Sequence, residues 1–352
     1  MKLGLKEAGL LTRIFKEFVG GGKTMKKLLV TFLSCIIIFS IAAAGCGSTK
    51  PAPAAPAAGA PAAATAKKPY TIAVIVKDST TPFWRYLITG AKNAGKDLGS
   101  NVIEYAPLQT QNLEEQVRQV EDAIQKGVSA ICIAPIDANG IIPAIEKANK
   151  AGIPVITTNS KSNGGKIETF IGVDNYAAAK VLAQYMMDKI NGTGNVVIIE
   201  GNPAGQTSVD RVKGFKEVIA KYPNVKLLVS QPAMFSRDQA MSVMENIIQS
   251  NKNITAVMAL NDEMALGARQ ALDGAGMTNV MITGFDGAKE GLEAILAGKM
   301  YASLNQAPHA QGYDAVKAAV DILNGKKVDS WIKVGGQVCD KSNSAELLKN
   351  YK

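Results

Sequence analysis

Short apolar runs rich in β-branched residues recur along the chain from Tyr70, at Ile72–Val76, Ala130–Ala134 and Pro154–Thr158. Segments with helical periodicity separate them, among them Asn112–Lys126 and Ile141–Ala151. This alternation predicts parallel βαβ units. In the helix expected from about Leu113, apolar Val117, Val120 and Ile124 lie three and four residues apart, and Gly127 follows as a left-handed cap. Its apolar stripe is expected to face a sheet.

A second series follows Asp174. Strands are expected at Val196–Glu200, Lys226–Ser230, Ala256–Leu260 and Val280–Gly284, with helices around Ala177–Asn191, Val209–Tyr222, Asp238–Ser250 and Glu263–Ala275. The pattern therefore predicts an α/β fold of two doubly wound, Rossmann-like parallel-sheet lobes. Ligands of open parallel sheets bind beyond the carboxyl ends of the strands. Polar residues gather at those ends: Thr81 with Phe83 nearby, Asn159 and Ser160, Asn202, Asn261 and Asp262, and Asp286. A cleft between two facing sheets would collect them.

The chain has 352 residues, long enough for two such lobes once its ends are set aside. Its formal charge of +9 hints at a polyanionic partner. Residues 1–46, however, hold seven Lys/Arg and two Asp/Glu, so the rest carries 32 basic against 28 acidic groups, a balance of +4. No nucleic-acid partner is expected.

The amino-terminal part has a different character. From Met25 it reads Lys26-Lys27, an apolar stretch from Leu28 to Ile41, then Ala42-Ala43-Ala44-Gly45-Cys46. A charged head, an apolar middle and a small-residue zone make a signal peptide. The residues before Cys46 resemble a bacterial lipoprotein box, which implies lipidation of Cys46 after cleavage. Residues 1–24 add nothing to this signal, and Met25 is the expected start. Residues 47–69, almost all Ala, Pro, Thr and Lys after the first few, are too poor in large apolar groups to fold and read as a tether. Such a tether reaches roughly 25–70 Å.

Of the four cysteines, Cys35 and Cys46 fall in the leader. Cys132, inside an apolar run, is expected to be a small buried hydrophobe. Whether it pairs with Cys339 is open at this stage.

The motif order from Tyr70 to about Val334 resembles the ribose-type periplasmic sugar-binding proteins of the type I fold. The residues that carry the likeness are Thr81-Pro82-Phe83-Trp84, Arg211-Val212-Lys213-Gly214-Phe215, Ser230-Gln231-Pro232-Ala233-Met234-Phe235, the run Leu260 to Gly267, Gly284-Phe285-Asp286-Gly287, and Asn305-Gln306. The resemblance implies three crossovers between the lobes, near Gly172–Asp174, Asn305–Gln306 and Val334–Gly336. The first lobe would span 70–173 plus 307–334, the second 174–306 plus 335–352. It also assigns ligand contacts to Phe83, Trp84, Arg211, Phe235, Asn261, Asp286 and Gln306, to which the strand-end reading adds Thr81, Asn159 and Ser160.

These residue types suit a sugar on their own chemistry. Aromatic faces pack on C–H surfaces, and planar amides and charges grip hydroxyl pairs. This chain departs from the ribose pattern, which has Asn at the positions of Thr81 and Ala134 and an Asp-Arg pair at those of Asn159-Ser160. Either another sugar or polyol binds, or Lys77 and Asp78 supply replacements.

The resemblance implies an extracytoplasmic solute-binding lipoprotein: a monomer on the outer face of the cytoplasmic membrane that hands a monosaccharide or polyol to an ABC transporter permease. A sensor role, presenting the closed form to a chemoreceptor or sensor kinase, shares the same body. A binder of a non-sugar metabolite is a further alternative. A repressor of the lactose-repressor kind would need an amino-terminal helix-turn-helix, where this chain has a signal and a tether. An enzyme would need a nucleophile, an acid–base pair or a cofactor loop at the strand ends. The sequence has neither G-x-G-x-x-G after the first strand nor G-x-x-x-x-G-K-[ST], and its single histidine, His309, has no visible catalytic partner. No catalytic residue, metal or cofactor is expected.

Overall fold

A computed structural model describes residues 69–351. The leader with Cys46, and the tether 47–69 save Pro69, lie outside them. The chain opens with β1 (Thr71–Ile75), α1 (Pro82–Asp97), β2 (Asn101–Tyr105), α2 (Leu113–Gln125), β3 (Ala130–Ile133), α3 (Ile142–Lys150), β4 (Val155–Thr158) and β5 (Thr169–Gly172). It continues with α4 (Asn175–Lys189), β6 (Gly194–Glu200), α5 (Gln206–Ile219), β7 (Val225–Pro232), α6 (Arg237–Ser250), β8 (Ala256–Ala259), α7 (Asp262–Gly274), β9 (Met281–Thr283) and α8 (Lys289–Leu296). Then come β10 (Ser303–Asn305), α9 (Pro308–Leu323), β11 (Trp331–Lys333), β12 (Gln337–Cys339) and α10 (Ser344–Leu347).

Two parallel sheets result. One runs β2-β1-β3-β4-β5-β11, the other β7-β6-β8-β9. A short antiparallel pair, β10 with β12, is joined to the second sheet's edge through bridges at Thr283–Ala302 and Asp286–Asn305. The chain leaves the first sheet after Gly172, returns to it through α9 and β11, and leaves again for β12.

Both faces of the first sheet are covered, which is why its central strands read as continuous apolar runs. Alternate residues of β1 point to opposite sides: Ile72 and Val74 join the core under α1 and α9, and Ala73 and Ile75 the core under α2 and α3. A third core fills the second sheet and its helices.

Two interactions fix the first sheet's loop end. Gln116, fully buried on α2, donates to the carbonyls of Val76 (3.1 Å) and Ala134 (2.9 Å) and accepts from the Ile136 N–H (3.0 Å). One amide thus ties the loops after β1 and β3 together. On the other face α1 and α9 cross without room for side chains: a Cβ on Gly90 would lie 1.9 Å from the His309 carbonyl, and one on Gly312 1.8 Å from that of Leu87. That contact holds α9 against the first sheet directly after the chain has left Gln306.

Cys132 and Cys339 are both free, buried thiols, and burial pushes each up to about 12. The pairing that the sequence left open is absent. His309 is exposed on α9, its Nε2 3.0 Å from the Asn93 amide nitrogen.

Candidate ligand-binding site

The carboxyl ends of the two sheets face one cavity, whose empty space with its open mouth amounts to about 410 Å³. On the first-sheet side the wall begins with the turn from β1 into α1. Asp78 folds that turn, accepting from the Thr80 and Thr81 N–H groups at 2.9 and 2.7 Å and from both threonine hydroxyls. Pro82 then starts the helix with its φ preset. The Trp84 Nε1–H closes on Asp78 at 3.1 Å, and Phe83 packs edge-on against Trp84 with centroids 4.8 Å apart. Two aromatic rings are thereby fixed at the cavity before any ligand arrives.

Opposite them stands Phe235, after β7. It and Met234 hold φ of 59° and 56°, in the left-handed region that side chains disfavour. The ring lies flat on Gly201, where a Cβ would come within 2.0 Å of the Phe235 Cζ. Only glycine admits the ring there.

The polar groups of the second side are held from behind. Arg211 on α5, 1% exposed, donates through Nε to Asn175 (2.9 Å) and through Nη1 to the Leu260 carbonyl (2.6 Å), with its guanidinium carbon 3.7 Å above the Phe285 ring centroid. Its Nη2 is buried with no protein partner. Asn261 caps α7 with its oxygen, accepting from the Met264 N–H at 2.9 Å, and its amide nitrogen is only 3.5 Å from the Phe235 carbonyl. Asp286 accepts from Gln306 Nε2 (2.7 Å) and from the Asp262 N–H (3.2 Å). Gln306 in turn accepts from Asn159 Nδ2 at 3.1 Å, so a line of hydrogen bonds runs from the second sheet through the crossover to the first.

The profile of the periplasmic binding protein domain matches residues 72–327. The chain belongs to the periplasmic binding protein family. It is 37% identical over 267 residues to the ribose import binding protein of Bacillus subtilis (strain 168), covering 76% of this chain and 86% of that one. It is 33% identical over 265 residues to the D-allose-binding periplasmic protein of Escherichia coli (strain K12), covering 73% and 85%. Among solved structures, an ABC transporter periplasmic solute binding protein from Actinobacillus succinogenes 130z with bound D-allose superposes with a TM-score of 0.75 at 32% identity, over 79% of this chain and 100% of that one. These relatives are binding proteins.

Nine of the ten residues expected from the sequence line this binding protein's cavity, and Ser160 does not. Asn159 takes φ of 61°, and the Ser160 N–H donates back to Thr158 O at 2.6 Å. That tight turn separates the two side chains, and the Ser160 hydroxyl accepts instead from Thr207 at 3.0 Å. Lys77 and Asp78, read only as replacements, do line the wall, and Gln111 and Thr207 are additions the sequence reading missed. Asp262 is 2% exposed and structural, accepting from Ser303 Oγ at 2.5 Å and the Ala288 N–H at 3.3 Å.

The two sides also touch around the cavity. Asn202 Nδ2 donates to Gln111 Oε1 (2.6 Å), Ala138 N–H to Ala204 O (3.2 Å), and Arg85 lies 3.5 Å from Glu290. The structure is a closed form, and its charges feel that closure. Burial lowers Lys77 to about 7, with Arg211 adding to the fall and Asp78 opposing it. Burial lowers Arg211 to about 9 against the pull of Asp286 and Asp262, leaving it cationic at neutral pH. Asp286 is pushed well above the usual carboxylate range by burial and by Asp262, with Arg211 opposing.

Because Arg211 is built into the second lobe as well as facing the cavity, Arg211→Ala is expected to destabilise the protein. The Asn175 oxygen and the Leu260 carbonyl lose their donor in the interior, a cost of about 2–4 kcal/mol. Urea unfolding of the purified variant checks this, and an unchanged midpoint would mean that the guanidinium is not a packed structural group.

Proposed function

We propose that this protein captures a monosaccharide or polyol outside the cytoplasmic membrane by closing two lobes on it, and delivers it to an ABC importer. The observation that carries this reading is the wall itself: aromatic faces from both sides, with a guanidinium nitrogen left free to donate and amide and carboxylate groups beside it. Apolar ring faces cover C–H surfaces, while the donors and acceptors take hydroxyls in pairs. Relatives named for ribose and D-allose support the ligand class.

The lobes in this reading are 70–173 plus 307–334 and 174–306 plus 335–352, in keeping with the changes of sheet after Gly172, Asn305 and Lys333. Ligand contacts are Thr81, Phe83, Trp84, Asn159, Arg211, Phe235, Asn261, Asp286 and Gln306. Bonds to the charged groups contribute about 1.5–3 kcal/mol each and those to neutral amides roughly 0.5–1.5. Arg211 and Asp286 therefore dominate affinity. The protein acts as a monomer, held to the membrane by a lipid on Cys46.

Titration calorimetry with D-ribose, D-allose, xylitol and myo-inositol tests the ligand class. At least one binds, and Asp286→Ala weakens that one roughly 10- to 100-fold. Failure of all four, or normal binding by the variant, contradicts the assignment. Anchoring is tested separately by mass spectrometry of the membrane-extracted protein. The expected amino-terminal peptide begins at a diacylated Cys46, and an intact peptide spanning Gly45-Cys46 would remove the lipid anchor from the account.

A further inference from the structure

The carboxyl-terminal turn meets both sides of the cleft at a corner away from the cavity. Leu348–Tyr351 forms a 3₁₀ turn after α10, and Leu347, Leu348 and Tyr351 pack against the core of the second sheet. The turn therefore travels with that sheet. From there Tyr351 reaches in two directions. Its hydroxyl donates to the Gly287 carbonyl at 2.8 Å, and its ring meets that of Tyr86 on α1 edge-on, with centroids 4.6 Å apart and planes at 69°. Neither tyrosine lines the cavity.

The first contact bears on the site through the backbone. Gly287 follows Asp286 with φ of 62°, and a Cβ there would come within 2.6 Å of the Asn305 Cα. The Ser303 hydroxyl grips this turn from inside, accepting from the Asp286 and Gly287 N–H groups at 3.2 and 3.0 Å. Tyr351 grips it from outside. Burial, with Asp262 and Asp286 adding, raises the Tyr351 hydroxyl above its ordinary range, so it remains a donor at neutral pH.

The second contact joins the two sides. On α1, Phe83 and Trp84 turn in to the cavity, while Arg85 and Tyr86 meet the second lobe at the rim. Arg85 stands 3.5 Å from Glu290, but its side chain is 64% exposed and water screens such a pair. The ring pair differs in kind. Both tyrosines are half-buried, and edge-to-face packing gains from burial and from the ring quadrupoles together.

We propose that Tyr351 is a positioning residue for ligand binding: the carboxyl-terminal turn is a latch that holds the Asp286 turn in place and closes on Tyr86 when the lobes meet. The proposal rests on the reading of ligand capture by closure and extends it to residues outside the cavity. A contact made only in the closed form favours that form. It slows opening and leaves capture alone, so it sets how long the ligand stays rather than which ligand enters.

The test is a double-mutant cycle of Tyr86→Ala and Tyr351→Ala, with Tyr351→Phe beside it. The probe is whichever of D-ribose, D-allose, xylitol and myo-inositol binds the wild type most tightly by calorimetry. Stopped-flow measurements give its association and dissociation rates, and melting curves of the unliganded proteins report folding. Each alanine variant is expected to release the probe roughly 3- to 10-fold faster, with association changed by less than about twofold. The double variant should release it no faster than the single ones, and the unliganded proteins should show no such coupling in their melting. Tyr351→Phe keeps the ring and loses only the bond to Gly287, so it should fall between wild type and Tyr351→Ala. Tyr86→Ala, on the outer side of α1, decides the latch by itself should Tyr351→Ala not fold. Unchanged dissociation in Tyr86→Ala overturns the latch. So do effects that simply multiply in the double variant, or an equal coupling in the unliganded melting, which would make the pair a fixed packing contact. Wild-type dissociation in Tyr351→Phe overturns the positioning of the Asp286 turn. If none of the four probes binds the wild type, the sugar-or-polyol reading falls and the proposal falls with it, whereas unchanged rates with a probe that binds strike the latch alone.

Discussion

A guanidinium carries five N–H donors and no acceptor, and Arg211, buried behind the cavity, finds protein acceptors through only two of its three nitrogens. The Asn175 oxygen and the Leu260 carbonyl hold it in place, and the Phe285 ring supports its flat face. The remaining Nη2 is oriented by those contacts. Water can satisfy it while the lobes are apart. When they close, an oxygen of the ligand must do so, or the donor is buried unsatisfied at about 1–3 kcal/mol, more for a charged group.

The same constraint explains why the clamp waits for its ligand. Closure draws Arg211 of the second lobe toward Lys77 of the first, and Arg211 adds to the burial that lowers Lys77 to about 7. Against this stand the contacts between the two sides, among them Asn202 with Gln111, the buried Thr207 with Ser160, and the more exposed Arg85 with Glu290. A ligand shifts such an equilibrium only through its difference in affinity for the two states. Here that difference is large, because aromatic rings and hydrogen-bonding groups are divided between the lobes. Gln306, bonded to Asp286 on one side and Asn159 on the other, sits where the chain crosses and registers both halves.

Much of this was legible in the sequence, and the exceptions have identifiable causes. Strands buried on both faces, such as β3 and β8, announce themselves as apolar runs. Strand β2 does not: it is an edge strand with a single partner, half-exposed and interrupted by Glu104. Nothing in the hydrophobic pattern therefore marks the loop beyond its carboxyl end as a strand end, and Gln111 lies there. Thr207 escaped for a related reason. Helix α5 begins at Gln206 after Gly205, with no capping side chain to mark its start, and the periodic signal begins only at Val209. Strands β10, β11 and β12 have three residues each, too short for any period to show. Ser160 lies outside the cavity lining although it adjoins Asn159, because a positive φ at Asn159 turns the two polar residues apart.

Closure around a ligand is the claim on which the rest of the account depends, and small-angle X-ray scattering reads it directly. The purified protein is measured alone and with a saturating amount of the sugar or polyol that binds it most tightly. The account predicts a smaller radius of gyration with ligand, approaching the value calculated for the closed form described above. Superimposable curves, with the free protein matching an open arrangement in both, would contradict it and leave the cavity a rigid pocket.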